Sequence, residues 1–112
     1  MIETRHLTAT IHGSFDALNN GPRIVNACLA AAVEAGATVL NYQWHAFEPH
    51  GVTCLVLLAE SHISIHTWPE EGSAAVDIFT CGEHTKPRFG LKSLIKELDC
   101  ETNEWQLQMR TV

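Results

Sequence analysis

Apolar and polar residues change period along the 112-residue chain, and each change marks an element. Residues 6–11 (His6-Leu7-Thr8-Ala9-Thr10-Ile11) alternate with the two-residue period of a half-buried strand. Gly13 and Asn19-Asn20-Gly21 then mark a turn, and Pro22 suits the first position of a helix. Ile24, Cys28, Ala31 and Ala35 follow as an apolar helical stripe that Gly36 stops. Residues 37–45 and 52–58 read as two strands joined through Glu48-Pro49-His50-Gly51, and residues 61–68 and 74–79 make two more. Pro87, preceded by Thr85-Lys86, opens a second helix with the stripe Phe89, Leu91, Leu94, Ile95 and Leu98. Residues 104–109 alternate as a last strand.

The order β-α-β-β-β-β-α-β predicts an α+β fold, a two-layer α/β sandwich whose mainly antiparallel sheet carries two helices on one face. Half of the sheet's other face would then lie bare, and a second subunit or a larger sheet sandwich is its expected cover. No repeat, linker or low-complexity tract divides the chain, and its length suits one domain, 1–112, with a single core.

Composition narrows the class. No apolar run reaches membrane-spanning length, and Met1-Ile2-Glu3-Thr4-Arg5 lacks the basic-then-apolar order of a signal peptide. Cys28, Cys54, Cys81 and Cys100 are widely spaced without a Cys-x-x-Cys pair, which argues against a metal knuckle or redox motif and fits a reducing cytoplasm. The formal net charge of −6 argues against a nucleic-acid partner, which favours a basic patch, and suits a cationic substrate.

Chemistry concentrates between residues 59 and 70, Ala59-Glu60-Ser61-His62-Ile63-Ser64-Ile65-His66-Thr67-Trp68-Pro69-Glu70. On a helix His62 and His66 would share a face and suit one metal ion. The alternation of Ile63 and Ile65 with His62, Ser64 and His66 instead predicts a strand, on which the two histidines stand about 13 Å apart. That separation is too long for one ion, so no metal site is expected. A nucleophilic Ser61 beside an acid and two imidazoles is the remaining reading. A Ser/His hydrolase is the first candidate, but no Gly-x-Ser-x-Gly turn lifts the serine from its backbone, and the pairing of serine with histidine can equally be accidental.

The stretch 59–70, with Gly72, Ala74-Ala75-Val76-Asp77 and Phe79-Thr80-Cys81-Gly82, resembles the short prokaryotic S-adenosylmethionine decarboxylase proenzymes. The likeness extends to Arg5-His6-Leu7, Gly36-Ala37-Thr38 and His45-x-Phe47-x-Pro49-x-Gly51-Val52, three quarters of the chain in order. It implies a self-processing, pyruvoyl-dependent decarboxylase of polyamine biosynthesis, homodimeric, with active sites shared between subunits. Ser61 would attack the carbonyl of Glu60, turning the amide into an ester. Elimination would free residues 1–60 and leave a pyruvoyl group heading residues 61–112. That group supplies the electrophilic carbonyl no side chain has, forming a Schiff base with the substrate amine as pyridoxal phosphate does elsewhere.

The resemblance also assigns roles. His66 corresponds to the histidine that assists processing by proton transfer, a task suited to imidazole near neutral pH. Thr53 stands where the family usually has a serine that steadies the oxyanion of the acyl shift; threonine keeps the hydroxyl but stiffens the rotamer. Cys81 corresponds to the proton donor used after carbon dioxide leaves, Phe47 to an aromatic that stacks on adenine, and Glu70 to a carboxylate that accepts from ribose hydroxyls. Departures cluster near the substrate positions: Glu48 adds a charge beside Phe47, Ser73 replaces a usual tyrosine, and the family's His/Arg-Gly-containing tail is missing after Thr111-Val112. Relatives use the same chemistry on ornithine or arginine, whose distal cation a carboxylate such as Glu48 would suit. S-adenosylmethionine is the expected substrate, a basic amino acid the alternative, and a non-catalytic partner subunit the competing class.

Overall fold

The computed structural model describes residues 1–112 as one six-stranded sheet with helices on one side. In chain order the elements are β1 (Glu3–His12), α1 (Phe15–Leu18), α2 (Gly21–Glu34), β2 (Val39–Ala46), β3 (Val52–Leu58), β4 (Ser61–Trp68), a 3-10 turn (Pro69–Glu71), β5 (Ser73–Cys81), α3 (Pro87–Leu98) and β6 (Glu101–Thr111). The strands lie in the order β2-β3-β4-β5-β1-β6, and every neighbouring pair is antiparallel. The α+β two-layer sandwich expected from the sequence is therefore what forms, with a wholly rather than mainly antiparallel sheet.

Alternation along the strands sorts the two faces. Leu7, Ala9 and Ile11 of β1, Val52, Cys54 and Val56 of β3, Ile63 and Ile65 of β4, and Val76 and Ile78 of β5 point into the core beneath α2 and α3. Helix α2 answers with Ile24, Val25, Cys28, Ala31 and Ala32, and α3 with Leu91, Leu94 and Leu98. Removing this apolar surface from water is the main term that holds the layers together. Cys28 and Cys54 meet inside that core, fully buried. No helix is long and apolar enough to cross a membrane.

Local chemistry explains where helices begin and end. The Asn20 side chain accepts from the Arg23 N–H at 3.1 Å and caps α2, so Gly21 opens that helix and Pro22 takes its second position. Gly36, with φ +76°, turns the chain away after the Ala35 cap. Two features depart from the sequence reading. The four-residue α1, capped by Ser14 through the Ala17 N–H, is too short to show a helical period. Phe89, expected in the core stripe of α3, is 57% exposed. The stripe that packs is Leu91, Leu94 and Leu98, and residue 89 lies two positions, roughly 200° of helical turn, before its first member.

The other sheet face is open. Thr53, Leu55 and Leu57 of β3, His62, Ser64, His66 and Trp68 of β4, Asp77, Phe79 and Cys81 of β5, and His6 and Thr8 of β1 all lie on it. Leu55, Leu57 and Trp68 are about half exposed there.

Candidate active site

The connection from β3 to β4 is short and tightly held. Ala59 donates its N–H to the Thr38 carbonyl at 2.9 Å, and the next residue, Glu60, is nearly buried. Its carboxylate accepts from the Thr38 N–H at 2.9 Å and the Thr38 hydroxyl at 3.4 Å, and pairs with His84 Nε2 at 2.8 Å. The His84 hydrogen bond, then that of the Thr38 amide, holds the Glu60 carboxyl below the usual glutamate range. Its backbone carbonyl accepts from the Cys81 N–H at 3.1 Å.

Ser61 follows with φ +142°, a left-handed region that side-chain-bearing residues rarely occupy. Such a backbone costs about 1–3 kcal/mol and persists only where neighbours over-determine it. The neighbours here are the Glu60 contacts and the ladder that places Ser61 opposite both Leu58 and Thr80. Thr80 is fully buried, and its hydroxyl has no hydrogen-bond partner. Cys81, one residue on, is half-buried at the end of β5. The arrangement sets a hydroxyl beside a carbonyl that already accepts a hydrogen bond, in a strained backbone.

The remaining candidate residues gather at the opposite end of β4. The buried Thr67 hydroxyl accepts from the Val52 N–H at 2.8 Å and donates to the Val52 carbonyl at 3.3 Å, fixing the register that sets Thr53 opposite His66. Thr53 Oγ1 and His66 Nδ1 are 3.0 Å apart. His45 pairs with Thr53 from the other side and meets the Phe47 ring edge-on, 4.6 Å between centroids. Glu70, in the 3-10 turn, is bridged to His50 at 3.1 Å. Glu48 is exposed beside Phe47.

Two half-sites therefore share one strand. Ser61, Glu60 and Cys81 stand at its start, and Thr53, His66, Phe47 and Glu70 toward its end. Ser61 and His66 are five residues apart on β4, roughly 16 Å at 3.3 Å per residue. Within one chain that is too far for proton transfer, which needs hydrogen-bond reach. Within one chain these residues fall into two groups because the rise along the strand is long.

The surroundings hold further residues whose contacts no motif or spacing singles out. His84 and Thr38 grip Glu60 from 24 and 22 positions away, with no local spacing to betray the contact. On the open face Phe79 is flanked by His6 and His62, at 5.4 and 5.7 Å, and by the Arg110 guanidinium at 5.6 Å, while His6 bonds Asp77 at 3.1 Å. No grouping of three histidine, cysteine or acidic side chains is close enough to hold a metal ion.

Comparison with known proteins gives a consistent picture. Residues 5–111 match the family model described as S-adenosylmethionine decarboxylase. The S-adenosylmethionine decarboxylase proenzyme of Synechococcus sp. (strain WH7803) is 66% identical over 68 residues, 61% of this chain and 53% of that protein. The match thus spans about half of that relative's length. The proenzyme of the same description from Methanococcus maripaludis is 44% identical over 101 residues, 89% of this chain and 83% of its own. The crystal structure of the adenosylmethionine decarboxylase from Aquifex aeolicus superposes with a TM-score of 0.82 at 34% identity, covering 97% of this chain and 89% of that one.

Proposed function

The chain belongs to the S-adenosylmethionine decarboxylase family, and from that premise we propose that it cleaves itself between Glu60 and Ser61 and then decarboxylates S-adenosylmethionine in polyamine synthesis. The observation that carries this reading is the Glu60–Ser61 junction: a serine with φ +142° follows a carbonyl that accepts the Cys81 N–H. A hydrogen bond to that oxygen favours the negative charge that develops when a nucleophile adds to the carbon.

In the self-processing step Ser61 Oγ bonds to the Glu60 carbonyl carbon, the peptide C–N bond breaks, and the Ser61 nitrogen takes a proton. The amide becomes an ester. Loss of the Ser61 α-proton and cleavage of the Cβ–O bond then release Glu60 as a carboxylate terminus. The dehydroalanine left at position 61 becomes an imine, and water exchanges it for a ketone with loss of ammonia. Ser61 fits this conversion because its strain is relieved by cleavage and its only covalent tie to Glu60 is the bond that breaks.

A pyruvoyl group supplies a carbonyl that takes up an amine and draws electrons from the bond to an adjacent carboxylate. The side chains around it do the rest. Cys81 brings a thiol proton to the open face beside the junction, for delivery to the substrate carbon after carbon dioxide leaves. Phe47 offers an exposed ring for adenine, while Glu70, and Glu48 next to Phe47 in the chain, offer carboxylates for ribose hydroxyls or a cationic centre.

The separation of the half-sites supports a homodimer. Two copies packed through their open faces with strands reversed bring Thr53, His66, Phe47 and Glu70 of one copy to Ser61 and Cys81 of the other. The same packing covers Leu55, Leu57 and Trp68. Thr53 Oγ1, fixed by His66, then serves as the hydroxyl donor and His66 as the proton carrier for the partner's junction. We place this reaction in the cytoplasm, a reducing compartment that suits four free cysteines.

Intact mass of the purified protein tests the first half. Fragments 1–60 and 61–112 are expected, the second lighter by one ammonia than simple hydrolysis would leave it. A single uncleaved chain after prolonged incubation would return the protein to the non-catalytic class. Carbon dioxide release from S-adenosylmethionine, ornithine and arginine, assayed side by side, tests the substrate.

A further inference from the structure

The turn that follows Cys81 is built to carry one side chain back to the cleavage junction. Gly82 sits at φ +92°, and a Cβ there would lie 2.8 Å from His84 Cε1 and 3.0 Å from Nδ1. Only glycine lets the imidazole fold over this point. Gly36, at φ +76°, supports the turn from behind, where a Cβ would stand 2.7 Å from the His84 carbonyl oxygen. The Thr85 hydroxyl bonds the carbonyls of Cys81 and Gly82 at 3.1 and 2.9 Å, and Arg5 Nη1 donates to the Gly82 carbonyl at 2.9 Å. The Lys86 N–H closes onto the Ala35 carbonyl at 2.8 Å. An exposed turn has thus been fixed from four sides, and the side chain it presents ends 2.8 Å from Glu60 Oε2.

We propose that His84 is a positioning residue for self-cleavage, acting through the Glu60 carboxylate on the geometry of the Glu60–Ser61 peptide. The inference rests on the self-processing reading above. Glu60 is the residue whose carbonyl Ser61 attacks, and it is pinned at two places: its carbonyl by the Cys81 N–H, its carboxylate by Thr38 and His84. A residue held at both ends cannot rotate to relax the strained φ of Ser61, so the strain persists beside the peptide bond that must break. With His84 removed, the Thr38 contacts alone leave the carboxylate hinged about one residue. Glu60 can then swing, Ser61 can relax toward extended backbone, and the hydroxyl loses its alignment with the carbonyl carbon. His84 makes no bond to the reacting atoms; it holds the residue that carries them.

The test follows precursor cleavage in the full chain. His84→Ala is expected to cleave about tenfold more slowly than wild type, the scale of one hydrogen bond to a charged group. His84→Gln, whose amide N–H can reach the same carboxylate, is expected to recover most of that rate. Because the clamp acts before attack, the uncleaved His84→Ala chain should be amide precursor, which hydroxylamine does not cut. Wild-type cleavage kinetics in His84→Ala would overturn the proposal, as would equal slowing in His84→Gln or accumulation of a hydroxylamine-sensitive ester. Failure of the wild-type chain to cleave at all would instead overturn the self-processing reading, so the two failures are distinguishable.

Discussion

Thr53 and His66 face each other across β3 and β4, Oγ1 to Nδ1 at 3.0 Å, yet they stand at the far end of β4 from Ser61. A proton carrier and a hydroxyl donor are useless to a nucleophile roughly 16 Å away. Either the two groups serve a second copy or they serve nothing in processing. That choice gives the first prediction.

Ser61→Ala and His66→Ala chains, each expressed alone, are expected to cleave at least about 100-fold more slowly than wild type. Co-expressed, they should complement. In a mixed dimer one site combines an intact Ser61 from the His66→Ala chain with an intact His66 from the Ser61→Ala chain. Cleavage should return, and only in the His66→Ala chain. Mass spectrometry of the two distinguishable chains reads this directly, and no gain on co-expression would sink the shared-site arrangement.

Cys81 contributes to the two stages through different atoms. Its backbone N–H holds the Glu60 carbonyl, and its thiol is the proposed proton donor. Cys81→Ser keeps the first and weakens the second. Self-cleavage should therefore survive, slowed if the thiol also lines the junction, while turnover falls about 100-fold or more. Protonation at the wrong carbon should convert the N-terminal residue of fragment 61–112 to alanine over repeated turnovers. A processed Cys81→Ser protein with wild-type turnover and an unaltered N-terminus would show the thiol to be structural.

Much of this architecture is legible in the sequence because it is written in short periods. The alternation of Ile63 and Ile65 with His62, Ser64 and His66 marks β4, and Leu91, Leu94 and Leu98 mark the buried side of α3. Ser61 and Cys81 stand out through a motif of near-contiguous residues. What stays hidden depends on contacts without period. The grip of Thr38 and His84 on Glu60 joins three separate segments, and Gly36 and Gly82 matter through the room they leave for a histidine that shares no pattern with them. Phe89 looks like core because Phe89 and Leu91 are both apolar; helical geometry turns them to different sides. The split of the site was within reach of the sequence, since the strand rise that parts His62 from His66 parts Ser61 from His66 further still.

The Glu60 clamp has a pH signature. Its carboxyl is held below the usual range in the folded chain, so the folded state favours the ionised form. Stability from this group is fully present above the unfolded-state pKa, about 4.3, and is lost as pH falls through the depressed folded value. Urea unfolding of the uncleaved Ser61→Ala chain should accordingly lose less stability on acidification below pH 4.3 when Glu60→Gln is added. At pH 7 the Glu60→Gln chain should be the less stable of the pair. Parallel pH profiles for the two chains would mean that the carboxylate gains nothing from Thr38 and His84.

Thr80 gives the most discriminating substitution, because stability and processing should move in opposite directions. Its hydroxyl is buried without a partner, directly across the β4–β5 ladder from Ser61. An unsatisfied hydroxyl of this kind costs about 1–3 kcal/mol relative to one that is bonded. Valine has nearly the same shape and no hydroxyl, so Thr80→Val should raise the stability of the Ser61→Ala precursor by about 1 kcal/mol. Opposed residues on antiparallel strands hold their Cβ atoms about 4.5–5.5 Å apart, close enough for the free hydroxyl to meet Ser61 Oγ as that group leaves its resting position. If the hydroxyl serves the acyl shift, Thr80→Val in the otherwise wild-type chain should cleave several-fold more slowly despite its firmer fold, and Thr80→Ser should cleave normally. Cleavage at the wild-type rate in the stabilised Thr80→Val chain would mean that the buried hydroxyl has no part in processing and is simply tolerated.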